Sequence, residues 1–149
     1  MTVDTQLVEH MMNPKNYGTL EASDTQGIGK NPENGEKVVV YMRIGEEEES
    51  PYVADIRFQA IGCATTVVAG SMLTEEAKGL NFKGIAHLIE ATMQLLERVP
   101  EEDAACSEMV ALAIQAAIDT YMKRKEEPDY PVITYKVARS CVPKEQGES

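Results

Sequence analysis

The sequence predicts an α+β domain in which helices pack on one face of a small antiparallel sheet. Two observations predict this class. Two neighbouring segments alternate apolar and polar residues with a period of two, and several later segments repeat their apolar residues with helical periodicity. The length of 149 residues suits one apolar core, so we expect a single domain over residues 1–149.

The first part of the chain predicts a helix and then a loop. Residues Thr5 to Met12 predict a short helix that Asn13-Pro14 ends, because the residue before a proline is pushed out of the helical region. Residues 18–35 contain Pro32 and several glycines but show no apolar periodicity. This composition predicts a long, mobile loop.

Two strands are predicted at residues 37–44 and 53–60, joined by an acidic turn that includes Glu46 to Glu49. Their alternation places one side of each strand in the core, and the two strands should pair as an antiparallel hairpin. The residues expected to face the core are Val38, Val40, Met42, Ile44, Ala54, Ile56, Phe58 and Ala60.

Three helices and a last strand are predicted beyond the hairpin. Apolar residues recur at helical spacing in each helix, and the second helix carries the clearest stripe. Lys78-Gly79 is a stop signal for the first helix, and Asp103 is a candidate N-cap for the third. The predicted helices span residues 64–77, 82–99 and 104–125, and the strand spans 132–137.

The composition excludes some classes of partner. The net charge of -11 rests on 25 acidic and 14 basic side chains, and such a field repels phosphate backbones, so no nucleic acid is expected. No apolar run approaches the roughly 20 residues that a membrane span needs, so no membrane insertion is expected. Residues Met1 to Glu9 contain no Lys or Arg, which argues against a targeting segment and makes the cytoplasm the expected location.

The three cysteines are candidate metal ligands or reactive thiols, because an odd number without an expected export signal argues against a disulfide framework. Cys63 lies between a predicted strand and a predicted helix, and Cys106 lies in the predicted first turn of the last helix. A helix N-terminus favours a thiolate, which can bind iron or zinc or accept sulfur. Cysteine also fills space in cores, and that packing role is the interpretation we favour for Cys141.

Three motifs resemble those of one protein family. Residues 10–18, His-Met-Met-Asn-Pro-Lys-Asn-Tyr-Gly, are similar to an H-x-x-N-P-[RK]-N-x-G signature. Residues 56–64 are similar to a strand-to-cysteine pattern R-F-x-x-x-G-C-x, and Cys106-Ser107 with residues 113–121 resembles a last cysteine and final helix. The motifs occur in the family's order, so the chain resembles the IscU and NifU N-terminal scaffold proteins. The resemblance covers about residues 3–125 and leaves 126–149 as a C-terminal extension.

This resemblance implies a non-enzymatic scaffold for iron–sulfur cluster assembly. Such a scaffold accepts sulfur from a cysteine desulfurase, binds iron or a 2Fe-2S cluster, and transfers the cluster to acceptor proteins. At the family's ligand positions this chain keeps Cys63 and Cys106, but has Glu36 for aspartate, Asn34 for the first cysteine and Ala105 for histidine. The implied ligand set is therefore Cys63, Cys106 and Glu36.

The incomplete ligand set leaves several alternatives open. A 2Fe-2S cluster commonly has about four protein ligands, so one chain is short of them. Two chains related by a twofold axis would supply four thiolates, which suggests a cluster-bridged homodimer, and Cys141 folding back as a replacement ligand is the competing possibility. Two other functions are a persulfide carrier that passes sulfur onward without iron, and a zinc-binding or cluster-free adaptor that docks a desulfurase.

Overall fold

The fold is described by a computed structural model that covers residues 16–32, 35–47, 50–61, 64–98 and 101–137. Four strands form one sheet in the order β3-β2-β1-β4, and three helices pack against it, which confirms the predicted α+β class. The helix predicted at residues 5–12 lies outside the described residues. The elements are β1 (Thr25–Lys30), β2 (Lys37–Glu47), β3 (Ser50–Ile61), α1 (Ala64–Ala77), α2 (Phe82–Leu96), α3 (Glu101–Glu126) and β4 (Ile133–Lys136).

The predicted hairpin is the pair β2–β3, but a β-bulge changes which residues of β3 face the core. Arg43 is opposite Asp55 and Ile44 is opposite Val53, so Ala54 is an extra residue on β3. Beyond a bulge the alternation shifts by one residue. Val53 is therefore fully buried and Ala54 is exposed, and the prediction that Ala54 faces the core is wrong.

The sheet is mixed, whereas the sequence predicted an antiparallel one. β1 pairs antiparallel with β2, but β4 pairs parallel with the other side of β1. β1 lies inside the segment predicted to be a mobile loop, so that prediction is wrong for Thr25–Lys30. The sequence pattern did not predict this strand because its helix-facing residues include Gly27 and Gly29. Glycine has no side chain, so the segment lacks the alternation of apolar and polar residues that indicates a strand.

These two glycines allow the backbones of β1 and α3 to touch. A methyl group at Gly27 would overlap backbone atoms of Ala113 and Ala117, and one at Gly29 would overlap the carbonyl oxygen of Met109. The buried hydroxyl of Thr25 donates a 2.7 Å hydrogen bond to the Ala117 carbonyl oxygen. Helix α3 therefore runs antiparallel to β1 and lies directly on the sheet.

The apolar core fills the space between the sheet and the helices. Residues on the inner faces of β2 and β3 form this core with residues from all three helices. The largest fully buried apolar side chains are Met42, Ile56, Phe58, Ile85, Met109 and Ile114. The outer edge of β3 is also covered, since Phe58 and Val53 exchange backbone hydrogen bonds with residues 16–18 and 79–80.

The helix boundaries follow local signals at one helix and depart from them at another. Asn81 caps α2 by accepting a 2.8 Å hydrogen bond from the Gly84 amide. Helix α3 begins at Glu101, so Asp103 lies inside the helix and the prediction that it is the N-cap is wrong. In the described part of the chain, every helix is either too short or too polar to cross a bilayer.

Strand β4 confirms the strand predicted at residues 132–137 and is held by α3. The Ile133 amide donates a 3.0 Å hydrogen bond to the Thr120 hydroxyl, and the Tyr135 hydroxyl donates one to Asp119. The hydrogen bond to Asp119, followed by burial, raises the pKa of Tyr135 to about 12. The bond therefore needs a protonated phenol, which couples the docking of β4 to pH.

Replacing Gly29 with Ala should lower the free energy of unfolding by about 3 kcal/mol, because the added methyl group must push α3 away from β1. Chemical denaturation monitored by circular dichroism measures this change. Gly84→Ala is the matched control: its Cβ would lie 3.3 Å from Leu80 Cβ, so the change should stay within about 1 kcal/mol. Equal effects at the two positions would contradict the backbone contact.

The folded-state pKa of Tyr135, about 12, lies above its usual value of 10.0, so its contribution to stability should be complete below pH 10 and disappear as pH rises through 12. Tyr135→Phe should therefore be less stable at neutral pH and should lose less stability over that alkaline range. Denaturation series at several pH values test this. A Tyr135→Phe variant with the same alkaline loss as the unchanged protein would contradict this coupling.

Candidate functional site

Three segments that carry predicted ligands converge on one end of the sheet. Lys30, the last residue of β1, pairs with Lys37, the first of β2, and Lys37 pairs with Ile61, the last of β3. The loop between β1 and β2 and the connection from β3 to α1 therefore leave the sheet at the same end. We call this the site end and define it by Lys30, Lys37 and Ile61.

Helix α3 points its N-terminal half toward the site end. Gly29 is next to Met109, whereas Gly27 is next to Ala113 and Ala117. Residue numbers on the helix thus fall as the chain runs along β1 toward Lys30. The turn that contains Cys106, which precedes Met109, lies beyond Gly29 in this direction.

Cys106 is buried, with 8% of its surface exposed. Because α3 begins at Glu101, Cys106 lies in the second turn of the helix, and its predicted place in the first turn is wrong. The helix dipole acts mainly within the first turn. The argument that a helix N-terminus favours a thiolate therefore does not hold for Cys106. Its accessibility to a ligand is limited to the small exposed part of its surface.

Cys63 lies outside the described residues, as do Asn34 and Cys141. The elements that flank Cys63 are described: β3 ends at Ile61 and α1 begins at Ala64. The predicted strand-to-helix transition around this residue is confirmed. In the sequence, residue 63 therefore falls between the last residue of β3, at the site end, and the first residue of α1.

Glu36 is half-buried at the end of the loop between β1 and β2. The loop is closed by two backbone hydrogen bonds: the Asn31 amide donates to the Glu36 carbonyl oxygen at 2.8 Å, and the Gly35 amide donates to the Asn31 carbonyl oxygen at 3.0 Å. Gly35 has a φ of 78°, which a glycine adopts without strain. These contacts fix the backbone of Glu36 immediately before β2.

Ala105 is part of the apolar core, with 6% of its surface exposed. It stands at the position where the resemblance leads one to expect a histidine ligand. A methyl side chain cannot bind a metal, and this one packs in the core cluster with Met109 and Val110. In this chain, residue 105 therefore contributes to core packing and offers no metal ligand.

Two of the three predicted ligands, Cys106 and Glu36, are among the described residues. Among residues 16–137, leaving out the undescribed positions, no group of three or more His, Cys, Asp and Glu side chains could hold a metal ion. The Cys106 thiol is a soft donor suited to iron or zinc, and the Glu36 carboxylate is a hard one. These two side chains alone are too few donors for a metal site.

Sequence reasoning missed an apolar groove next to this region. It lies between α1, α2 and the start of α3, has a volume of about 570 Å³, and is bordered by Ser107, the residue after Cys106. Leu95 lies on the apolar side of α2 but is 64% exposed on the groove wall. Only Ile85 and Leu96 of α2 are buried, although the helix carries further apolar residues. This excess of apolar residues in the sequence is the signal that could have indicated the groove.

Comparisons with known proteins give a family for this chain. The family model described as NifU-like N terminal domain matches residues 3–128. The iron-sulfur cluster assembly scaffold protein IscU 1 of Archaeoglobus fulgidus is 30% identical over 125 residues, which are 83% of this chain and 79% of that protein. The scaffold protein IscU of Aquifex aeolicus is 28% identical over 126 residues, 80% of this chain and 76% of its own.

A solved structure agrees on the fold. The N-terminal part of a NifU-like protein from Brucella abortus superimposes with a TM-score of 0.65 at 15% identity, covering 80% of this chain and 93% of that one. The motifs at residues 10–18, 56–64 and 106–121 thus correctly identified the relatives. This chain belongs to the NifU-like N-terminal domain family, the family of the IscU and NifU iron–sulfur scaffold proteins.

Proposed function

We propose that this protein is a cytoplasmic scaffold that accepts sulfur from a cysteine desulfurase, binds iron or a 2Fe-2S cluster through Cys63, Cys106 and Glu36, and transfers it to acceptor proteins. The main support is the topology. The β1–β2 loop, the β3–α1 connection and the N-terminal half of α3 all lie toward the site end of the sheet. These are the segments in which the three residues occur. The role is that of a carrier without catalytic turnover.

The donors in one chain favour a cluster shared by two chains. Two thiols and one carboxylate fall short of the roughly four ligands that a 2Fe-2S cluster commonly has. Ala105 is buried in the core and adds no donor. A twofold pair of chains would contribute Cys63 and Cys106 twice and complete four thiolates. We therefore propose that the cluster-loaded protein is a homodimer.

Cys63→Ser and Cys106→Ser should each lower the iron retained after anaerobic reconstitution and desalting to less than about a tenth of that in the unchanged protein. The reason is that each substitution removes half of the thiolate ligands. Iron analysis and visible charge-transfer absorbance measure retention. Cys141→Ser is the matched control and should keep the full amount. Cys106→Ala serves as a second variant because serine at this buried position adds a polar group.

The outcomes of this cysteine series separate the alternatives. If Cys141→Ser loses the cluster as well, the C-terminal extension supplies a ligand. If neither the variants nor the unchanged protein retain iron, the proposed cluster role is wrong. Mass spectrometry after incubation with a desulfurase and cysteine then distinguishes an added sulfur on one thiol, the mark of a persulfide carrier, from an adaptor without such a product. Retained zinc would instead indicate a zinc-binding adaptor.

Replacing Asn34 with Cys should change the loaded protein from a dimer to a monomer. The new thiol, with Cys63, Cys106 and Glu36, would provide four donors in one chain. Native mass spectrometry of the loaded protein reports both the number of chains and the number of clusters. Ala54→Cys adds a thiol on an exposed position of β3 and should leave the dimer unchanged. A loaded monomer without any substitution would contradict the shared cluster.

A further inference from the structure

Three lysines form a row across the outer face of the sheet, the face turned away from the helices. Lys30 pairs with Lys37 on β2 and with Lys136 on β4. Their strand neighbours Gly29, Val38 and Tyr135 face α3 or the core, so the lysines point outward. Lys30 and Lys136 are exposed and Lys37 is half-buried. We call these three residues the lysine row.

Electrostatic repulsion within the lysine row destabilises the isolated chain. Like charges directly opposite each other on neighbouring strands destabilise a sheet. Strands lie about 4.8 Å apart, so three positive charges occupy a width of about 10 Å. Within the described ranges, ion pairs join Lys78 to Asp55 and Lys125 to Glu46, and none involves the lysine row. The row is unneutralised there although the chain has 25 acidic residues.

The surface around the row is mixed in character. Ile61 continues the row on β3 and is 61% exposed. The neighbouring row across the sheet contains Thr134, Ile28, Val39 and Gln59. Small molecules usually bind in concave pockets, whereas a sheet face with exposed apolar and charged groups suits a protein partner.

The row depends on the part of the chain that lies beyond the family match. The NifU-like match ends at residue 128, and β4 begins at Ile133. Without β4, only Lys30 and Lys37 would remain. The row also flanks the site end, because Lys30 and Lys37 are the residues that precede and follow the loop of Glu36.

We propose that the lysine row docks an acidic segment of a partner protein, an extended stretch with two or more carboxylates. A nucleic acid carries negative charge along its whole length, so the net charge of -11 opposes it more than it opposes a short acidic segment. The same net charge repels an acidic partner at long range. At physiological salt the Debye length is about 8 Å, comparable with the width of the row, so local charges dominate once the surfaces meet. The docked segment lies beside the loop of Glu36. This inference does not depend on cluster binding.

The test is fluorescence anisotropy of the full chain with a labelled peptide of alternating Glu and Thr residues at physiological salt. Lys30→Gln, Lys37→Gln and Lys136→Gln should each weaken binding about two- to fivefold, as expected for exposed ion pairs, and the triple variant should weaken it more than about tenfold. Lys83→Gln, an exposed lysine on α2, is the matched control and should bind as before. A peptide with Gln in place of Glu should not bind.

Stability separates lost docking from lost folding. Removing the charge at Lys30 relieves two like-charge pairs, so Lys30→Gln should raise the melting temperature by about 1–4 °C at low salt while it weakens binding. Lys136→Gln, at the exposed sheet edge, provides a second variant that tests binding if the triple variant unfolds. The proposal is overturned if the triple variant binds the peptide like the unchanged protein. It is equally overturned if a single-stranded oligonucleotide of equal charge competes as well as the acidic peptide, since the row would then be a general anion surface.

Discussion

The direct contact between the backbones of β1 and α3 is the constraint on which the rest of the structure depends. Gly27 and Gly29 leave no room for a side chain between strand and helix, so the depth and direction of α3 are set by main-chain atoms. The direction decides which end of the sheet receives the turn of Cys106. The depth places Asp119 and Thr120 where they bind β4. The contact of Gly27 and Gly29 with α3 therefore sets the positions of both the Cys106 turn and β4.

The residues proposed to bind a cluster sit on supports of different kinds. Cys106 is on a helix whose neighbouring residues Ala105 and Met109 are buried in the core, so its backbone position is fixed by packing. Glu36 is on a loop closed by hydrogen bonds to Asn31. Residues on packed helices are placed more precisely than residues on loops. The burial of Ala105 also explains why this position contributes to stability and not to a ligand set.

Charge is distributed unevenly on this acidic molecule. Lysines are concentrated where β1, β2 and β4 meet at the site end, and their mutual repulsion is an energetic cost that the fold bears. Destabilising arrangements of this kind are found in proteins mainly at functional sites. The proposed docking surface and the proposed ligand region share one end of the sheet, so a bound partner would be close to both.

Local patterns along the chain were sufficient for the hairpin, the three helices, the last strand and the family, because each of these leaves a periodicity or a motif in neighbouring residues. They failed at β1, where Gly27 and Gly29 replace the apolar side chains of an alternation, and at Val53 and Ala54, where a bulge shifts the register. The parallel pairing of β4, the burial of Cys106 and the meeting of Lys30, Lys37 and Lys136 could not be predicted from the sequence. Each depends on contacts between residues far apart in the chain, and such contacts are decided by how the helices and strands pack.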